Sequence, residues 1–355
     1  PVSSAGGVPT TVTNRYWRTD KCRTVTNAAG GRTYGYDTNQ NLTSESLAAD
    51  GLTLTATYNY NANDQLSSIV YPVLGRTIQF NPNALGQPTS VVAPAGSMLN
   101  VTFWPNGQTN SIAFAGGSRV TYGQNTREWL NAVTVKTGDN ISRVASTLTY
   151  DKVGNLTAVK DSVDASLNRT LAFDAINRLT TVTGPWGSGT VVYNGTNNIT
   201  GYQLGTDVRS FTYDGQNRLA SVTSSVSGTT GYGYDAYGNA LPSGWGYTYD
   251  NASNLTSAGA AQANSYDGTN TRIKTVNGSA VTYEFRSAHG LLLAEWRKQA
   301  GSFDTLKEHI YVAGREVAEQ RTDFQGTNVL PPSWMFLQSD ANGSPLSATA
   351  ANGTL

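Results

Sequence analysis

Leu148-Thr149-Tyr150-Asp151-Lys152-Val153-Gly154-Asn155-Leu156-Thr157-Ala158-Val159 comes back as Leu171-Ala172-Phe173-Asp174-Ala175-Ile176-Asn177-Arg178-Leu179-Thr180-Thr181-Val182. It returns again as Phe211-Thr212-Tyr213-Asp214-Gly215-Gln216-Asn217-Arg218-Leu219-Ala220-Ser221-Val222. The shared module is an aromatic anchor, Asp or Asn, two or three variable residues, Gly or Asn, Leu, Thr or Ser, and then a β-branched residue. Working outward, anchors fall at Tyr36, Tyr60, Phe80, Phe103, Tyr122, Tyr150, Phe173, Tyr193, Tyr213, Tyr234, Tyr249, Tyr266 and Tyr283, about 20 residues apart. A fixed period of that size marks a repeat architecture. The residue two before the anchor is apolar, as at Tyr34, Tyr58, Ile78, Val101 and Leu148; Asn264 before Tyr266 is the exception.

A spacing of two puts both side chains on one face of a strand. The acid after the anchor (Asp37, Asp151, Asp174, Asp214, Asp235, Asp250 or Asp267) then starts a turn. Its short acceptor bonds a backbone N–H two residues on, and a following Gly or Asn tolerates left-handed backbone. Leu-Thr-x-Val opens the returning strand with β-branched residues. A step of about 20 residues holds two strands of roughly 5–6 residues and two turns. The repeats therefore predict an all-β chain, a continuous antiparallel hairpin ribbon of on the order of 26–28 short strands. Open twisted sheets rarely exceed about ten strands, so the ribbon is expected to coil into a spiral shell, tube or barrel-like cocoon.

The module resembles the YD repeat of the Rhs/YD-repeat family, which takes in bacterial Rhs and wall-associated toxins, the C component of insecticidal toxin complexes, and the animal teneurins. Tyr150-Asp151 with Gly154-Asn155-Leu156-Thr157, and Tyr249-Asp250 with Asn254-Leu255-Thr256, match the motif almost in full. Tyr283 to Trp296, His309 to Ala318, and Asp340, Gly343, Ser344 and Pro345 resemble the conserved end of the Rhs core. Many members carry a His two residues before that last Asp, where this chain has Gln338. The resemblance divides the chain into lead-in strands (1–33), a YD-repeat ribbon (34–283) and Rhs-core-like C-terminal hairpins (284–355). It implies a hollow shell that encloses a passenger polypeptide, either the remainder of a longer chain or a separate one. Pro1 in place of Met reads as a processed or excised piece, and Leu355 precedes the plug segment and self-cleavage aspartates of toxin-bearing members.

Composition narrows the function. Twenty-four Lys+Arg balance 24 Asp+Glu, and only 14% of residues are charged. Binding nucleic acid through its phosphates needs a basic excess, so no nucleic-acid partner is expected. One cysteine, Cys22, excludes an internal disulfide framework. Two histidines, His289 and His309, leave little for metal or acid–base chemistry and read as polar surface or hairpin residues. The repeat acids are too far apart in sequence for the six to eight converging oxygens of a calcium site, so neither metal nor cofactor is expected. Nothing singles out a pair of them as the two carboxylates of a glycosidase. No apolar run approaches the ~20 residues of a membrane helix.

The function expected is a non-enzymatic, exported structural shell or scaffold, secreted or at a bacterial cell surface. Unpaired edge strands would let copies self-associate or build a filament. The alternative is an adhesin module that meets glycan or protein through Trp186, in Gly184-Pro185-Trp186-Gly187, and Trp245, in Gly244-Trp245-Gly246.

Overall fold

A computed structural model describes residues 11–94, 96–340 and 342–355. Most of the described chain is short β-strand; its helical turns are 3-10 turns at Ala115–Gly117 and Ala165–Leu167. Residues 1–10 of the lead-in section and Ala341, inside the Asp340–Pro345 motif, lie outside the described residues.

Strands pair antiparallel with their neighbours in sequence. One such run extends from Thr13–Tyr16 to Thr109–Phe114. A second extends from Leu130–Lys136 to Ala240–Pro242. A third extends from Leu255–Ala258 to Pro345–Ala350, with the short Asn328–Val329 paired beside it. The sheets are not closed. This is the hairpin ribbon that the module predicts.

The module also sets a local irregularity. The register slips one residue before the anchor at Tyr36, Tyr60, Tyr150, Phe173, Tyr193, Tyr213 and Tyr266. Such a bulge kinks a strand and increases its twist. Such a bend recurs at these anchors along the ribbon.

The chain divides into two compact units. The larger holds the described residues up to Arg119, with 137–140 and Thr248–Leu355. Its N-terminal and C-terminal ribbons bring their apolar faces together. Phe114 meets Phe336 with ring centroids 5.4 Å apart, and Leu66, Ile69, Tyr71 and Phe80 share a cavity with Leu291, Leu293 and Tyr311. Tyr34, Tyr58, Ile78, Phe80, Leu99, Val101, Ile273, Phe285, Leu306 and Ile310 are buried in this unit. Each such side chain contributes roughly 1.5–3 kcal/mol.

The smaller unit holds residues 120–136 and 141–247. From Ser142 onward its ribbon carries the most regular repeats. Each anchor and the residue two before it are half-buried while the residue between is exposed, as at Leu148-Thr149-Tyr150 and Phe211-Thr212-Tyr213. Among the described residues, no hydrophobic side chain between Val144 and Ile273 is buried.

Candidate functional site

The turns that carry an Asp are held by one carboxylate geometry, and Asn61, Asn83, Asn125 and Asn194 put an amide oxygen in its place. Asp151 accepts the backbone N–H of Val153 at 3.0 Å and of Asn155 at 2.9 Å on one oxygen, and the Asn155 amide at 2.8 Å on the other. Asp37 pairs in this way with Asn41, Asp235 with Asn239 and Asp250 with Asn254. At Asp174 and Asp214 the partner is a guanidinium, from Arg178 at 2.7 Å and Arg218 at 2.8 Å. Asp340 accepts from the N–H groups of Asn342 and Ser344, so the Asp340–Pro345 motif is built on the same turn; Gly343 supplies its left-handed residue at φ 87°. Pro345 then opens the strand Pro345–Ala350. These bonds favour the charged carboxylate. The Asn155 amide and nearby backbone N–H groups hold Asp151 below the usual carboxylate range, and the Arg178 backbone N–H leads the same effect at Asp174.

The turns are also tied to one another. Asn155 donates to the side-chain oxygen of Asn177 at 2.8 Å, Arg178 to that of Asn197 at 2.7 Å, and Asn198 to that of Asn217. Asn177, Asn197 and Asn217 all have positive φ, near 65°, a conformation that Asn adopts more readily than most residues. The Asn of the module therefore serves as a turn residue and as the acceptor for the preceding turn.

Anchors reach backward as well. The hydroxyl of Tyr150 donates to the Leu130 carbonyl at 2.7 Å, Tyr193 to Leu179 at 3.0 Å, Tyr213 to Ile199 at 2.7 Å and Tyr234 to Leu219 at 2.8 Å. Tyr60 and Tyr266 do the same to Leu42 and Leu255. Arg178 and Arg218 lie over the rings of Tyr193 and Tyr234, each 4.3 Å from the centroid. Asn264, the exception in the repeat, is buried and satisfied by the Leu255 carbonyl and the Thr275 hydroxyl.

The remaining anchors sit in varied surroundings. Phe80 and Tyr122 are buried, while Phe103, Phe173 and Tyr249 are half-buried. Tyr36 lies under the Lys21 ammonium. Buried Tyr283 donates to Asp50 at 3.0 Å, and burial together with that carboxylate pushes its pKa up to about 12. Trp186 is 38% exposed with the Arg169 guanidinium over its ring; Trp245 is 56% exposed and stands edge-on to Tyr247.

Sequence reasoning missed the charged groups that join the two ribbons of the larger unit. Arg32, buried two residues before Tyr34, pairs with Asp267 and donates to the Arg286 carbonyl at 2.7 Å. Buried Glu45 accepts the Tyr58 hydroxyl, and burial raises its pKa. Arg76 bonds Glu308, Gln320 at 2.6 Å and Thr322 at 3.0 Å. Gln338 is fully buried and donates to the Thr349 hydroxyl at 3.0 Å.

His309 lies on a hairpin strand but not at the surface: it is buried, with Glu316 at 2.7 Å and Glu295 at 3.3 Å on its two ring nitrogens. Burial alone would lower its pKa, but the two carboxylates raise it to about 9. The available signal was the phase of these residues. Arg32, Glu45 and Glu308 occupy inward positions alongside Tyr34, Leu47 and Ile310.

Comparison with known proteins follows this geometry. A family model described as Teneurin YD-shell matches residues 142–259, the ribbon of regular turns, and one described as RHS Repeat matches residues 60–98. No curated protein matches the chain. The crystal structure of TcdB2-TccC3 is similar over 97% of this chain and 21% of its own, at 13% identity and a TM-score of 0.70. TcdB2-TccC3 without its hypervariable C-terminal region is similar over 94% and 20%, at 13% identity and 0.66. A Tc holotoxin pore of Photorhabdus luminescens is similar over 100% and 21%, at 12% identity and 0.59. The chain spans about a fifth of the length of these solved chains, and at such identity the likeness is one of fold. Module, turn geometry and both family models agree that this chain belongs to the Rhs/YD-repeat family.

Proposed function

We propose that the chain is a length of non-enzymatic shell wall in an exported protein, and that the aromatic face of its smaller unit lies against an enclosed passenger polypeptide. One observation carries this reading. Leu148, Tyr150, Leu171, Phe173, Val191, Tyr193, Phe211 and Tyr213 share the anchor phase of the repeat yet remain half-exposed. A folded domain seldom leaves so long an apolar row uncovered unless something binds there. The half-exposed face is what this chain itself offers to a covering polypeptide. None of the described helices is long and apolar enough to cross a membrane.

A photo-crosslinking residue in place of Phe173 or Phe211 tests the proposal in the native material. Enclosure predicts adducts with polypeptide from outside the repeats. Adducts with solvent or lipid alone would overturn it.

The adhesin reading rests on the exposure of Trp186 and Trp245. A glycan array with Trp186→Ala and Trp245→Ala separates it from the wall. Binding that is present in the parent and lost in both variants would favour the adhesin.

A further inference from the structure

We infer that His309, Glu316 and Glu319 form a binding site for one first-row divalent transition ion, such as Zn²⁺, Mn²⁺ or Co²⁺. The hairpin of Asp304–Val312 with Arg315–Gln325 sets His309 directly opposite Glu319. A register slip between Ile310 and Tyr311 pairs Tyr311 with Glu316. Without that slip Glu316 would fall on the opposite face; with it, Glu316 joins His309 and Glu319. One donor atom from each of the three lies within 4.8 Å of the others. An imidazole nitrogen with two carboxylate oxygens is a donor set that borderline divalent ions accept, three protein ligands leaving room for water.

Two surrounding contacts fit this role. The other ring nitrogen, Nε2, faces Glu295 Oε2 at 3.3 Å, the carboxylate that metal-bound histidines commonly carry behind them to fix ring orientation. The Tyr71 hydroxyl, fully buried, donates to the His309 carbonyl at 2.8 Å and pins the strand beneath the site. His309 is only 6% exposed, whereas Glu316 and Glu319 are part-exposed and open the way in. Lys307 pairs with Glu319 at 3.1 Å; its side chain is 41% exposed, so it can swing to solvent when an ion arrives. Binding is an exchange: the Nδ1 lone pair goes to the ion, and a proton held between Nδ1 and Glu316 leaves to buffer. No redox or hydrolytic step is assigned to the ion. The site departs from the sequence expectation of no metal.

The test is Co²⁺, Zn²⁺ and Mn²⁺ binding to the whole chain, by equilibrium dialysis and by the visible absorption of Co²⁺. One ion per chain is expected, and at least tenfold weaker binding in Glu316→Gln and in Glu319→Gln. The chain has two histidines, so His289→Ala should leave the cobalt spectrum unchanged while His309→Ala removes its imidazole contribution. Glu295→Gln should weaken binding by about 10–100-fold. If His309→Ala fails to fold, Glu316→Gln with an unchanged near-ultraviolet circular dichroism spectrum decides. Absence of stoichiometric binding for all three ions would overturn the site. So would full affinity in a Glu316→Gln/Glu319→Gln double variant, or loss of binding only with His289→Ala.

Discussion

The two units are made from one repeat and use it differently. In both units anchors and turns hold their neighbours: a Tyr hydroxyl reaches the carbonyl one repeat back, and an Asn or Arg reaches the next turn. In the smaller unit the anchor face beyond that stays half-exposed. In the larger unit anchor-phase residues are buried by a second ribbon more than two hundred positions away in sequence. Arg32 with Asp267, Arg76 with Glu308 and Tyr71 with the His309 carbonyl span that distance. The repeat thus specifies a strand, a turn and a neighbour. What covers its apolar face is specified where the repeat is broken by a charge.

That contrast can be broken from the larger unit first. Arg76→Ala leaves Glu308, a buried carboxylate that already has one unpartnered oxygen, without its cation. Removing one partner of a buried pair costs about 3–5 kcal/mol. Hydrogen exchange should show that loss in strands of the larger unit, with those of Ser142–Tyr234 unmoved; equal loosening of both would erase the distinction.

Acid sharpens the contrast next, because the turn acids and the buried glutamates respond with opposite sign. Asp151, Asp174, Asp214 and Asp235 have folded pKa values below the ordinary 3.8. Their stabilisation is full above 3.8 and is lost as pH falls through the lower folded values. Glu45 and Glu308 have folded values above the ordinary 4.5, because burial disfavours the charged form. Protonating them on acidification favours the fold. Exchange measured from pH 5 down to 2 should therefore show the turns of the smaller unit loosening before the strands around Glu45 and Glu308.

Two smaller effects follow. Tyr213→Phe removes the hydroxyl bonded to the Ile199 carbonyl and nothing else, and should cost about 1 kcal/mol in a urea melt. A null result would mean that the backward reach of the anchors is incidental. Trp245→Ala, at an exposed turn, should change stability by less than about 0.5 kcal/mol, so any binding it abolishes reflects contact and not unfolding.

Much of this was legible in the residues, for a physical reason. Hairpin order depends on contacts about 20 positions apart, and the module writes those out: Tyr150 announces the strand, Asp151 the turn, Leu156 the return. The bulge at anchors such as Tyr150 and Phe173 was not legible, since a one-residue slip changes register without changing composition. Nor was the joining of the two ribbons. Arg32 sits in an ordinary-looking Gly-Arg-Thr-Tyr strand, and only its inward phase hints at a buried partner; that the partner is Asp267, a turn acid like the others by sequence, depends on packing between distant ribbons. His309 does lie on a hairpin, but its burial was not legible, because Glu295 comes from the strand on one side of it and Glu316 and Glu319 from the strand on the other.

The central claim is that the uncovered anchor face of the smaller unit is a wall facing an enclosed polypeptide. Electron cryomicroscopy of the native material tests it most directly. The account predicts polypeptide density outside the repeat ribbon, lying against Leu148, Phe173, Tyr193 and Phe211. A bare face in that material, or one covered by the ribbon of a second copy in a filament, would contradict it.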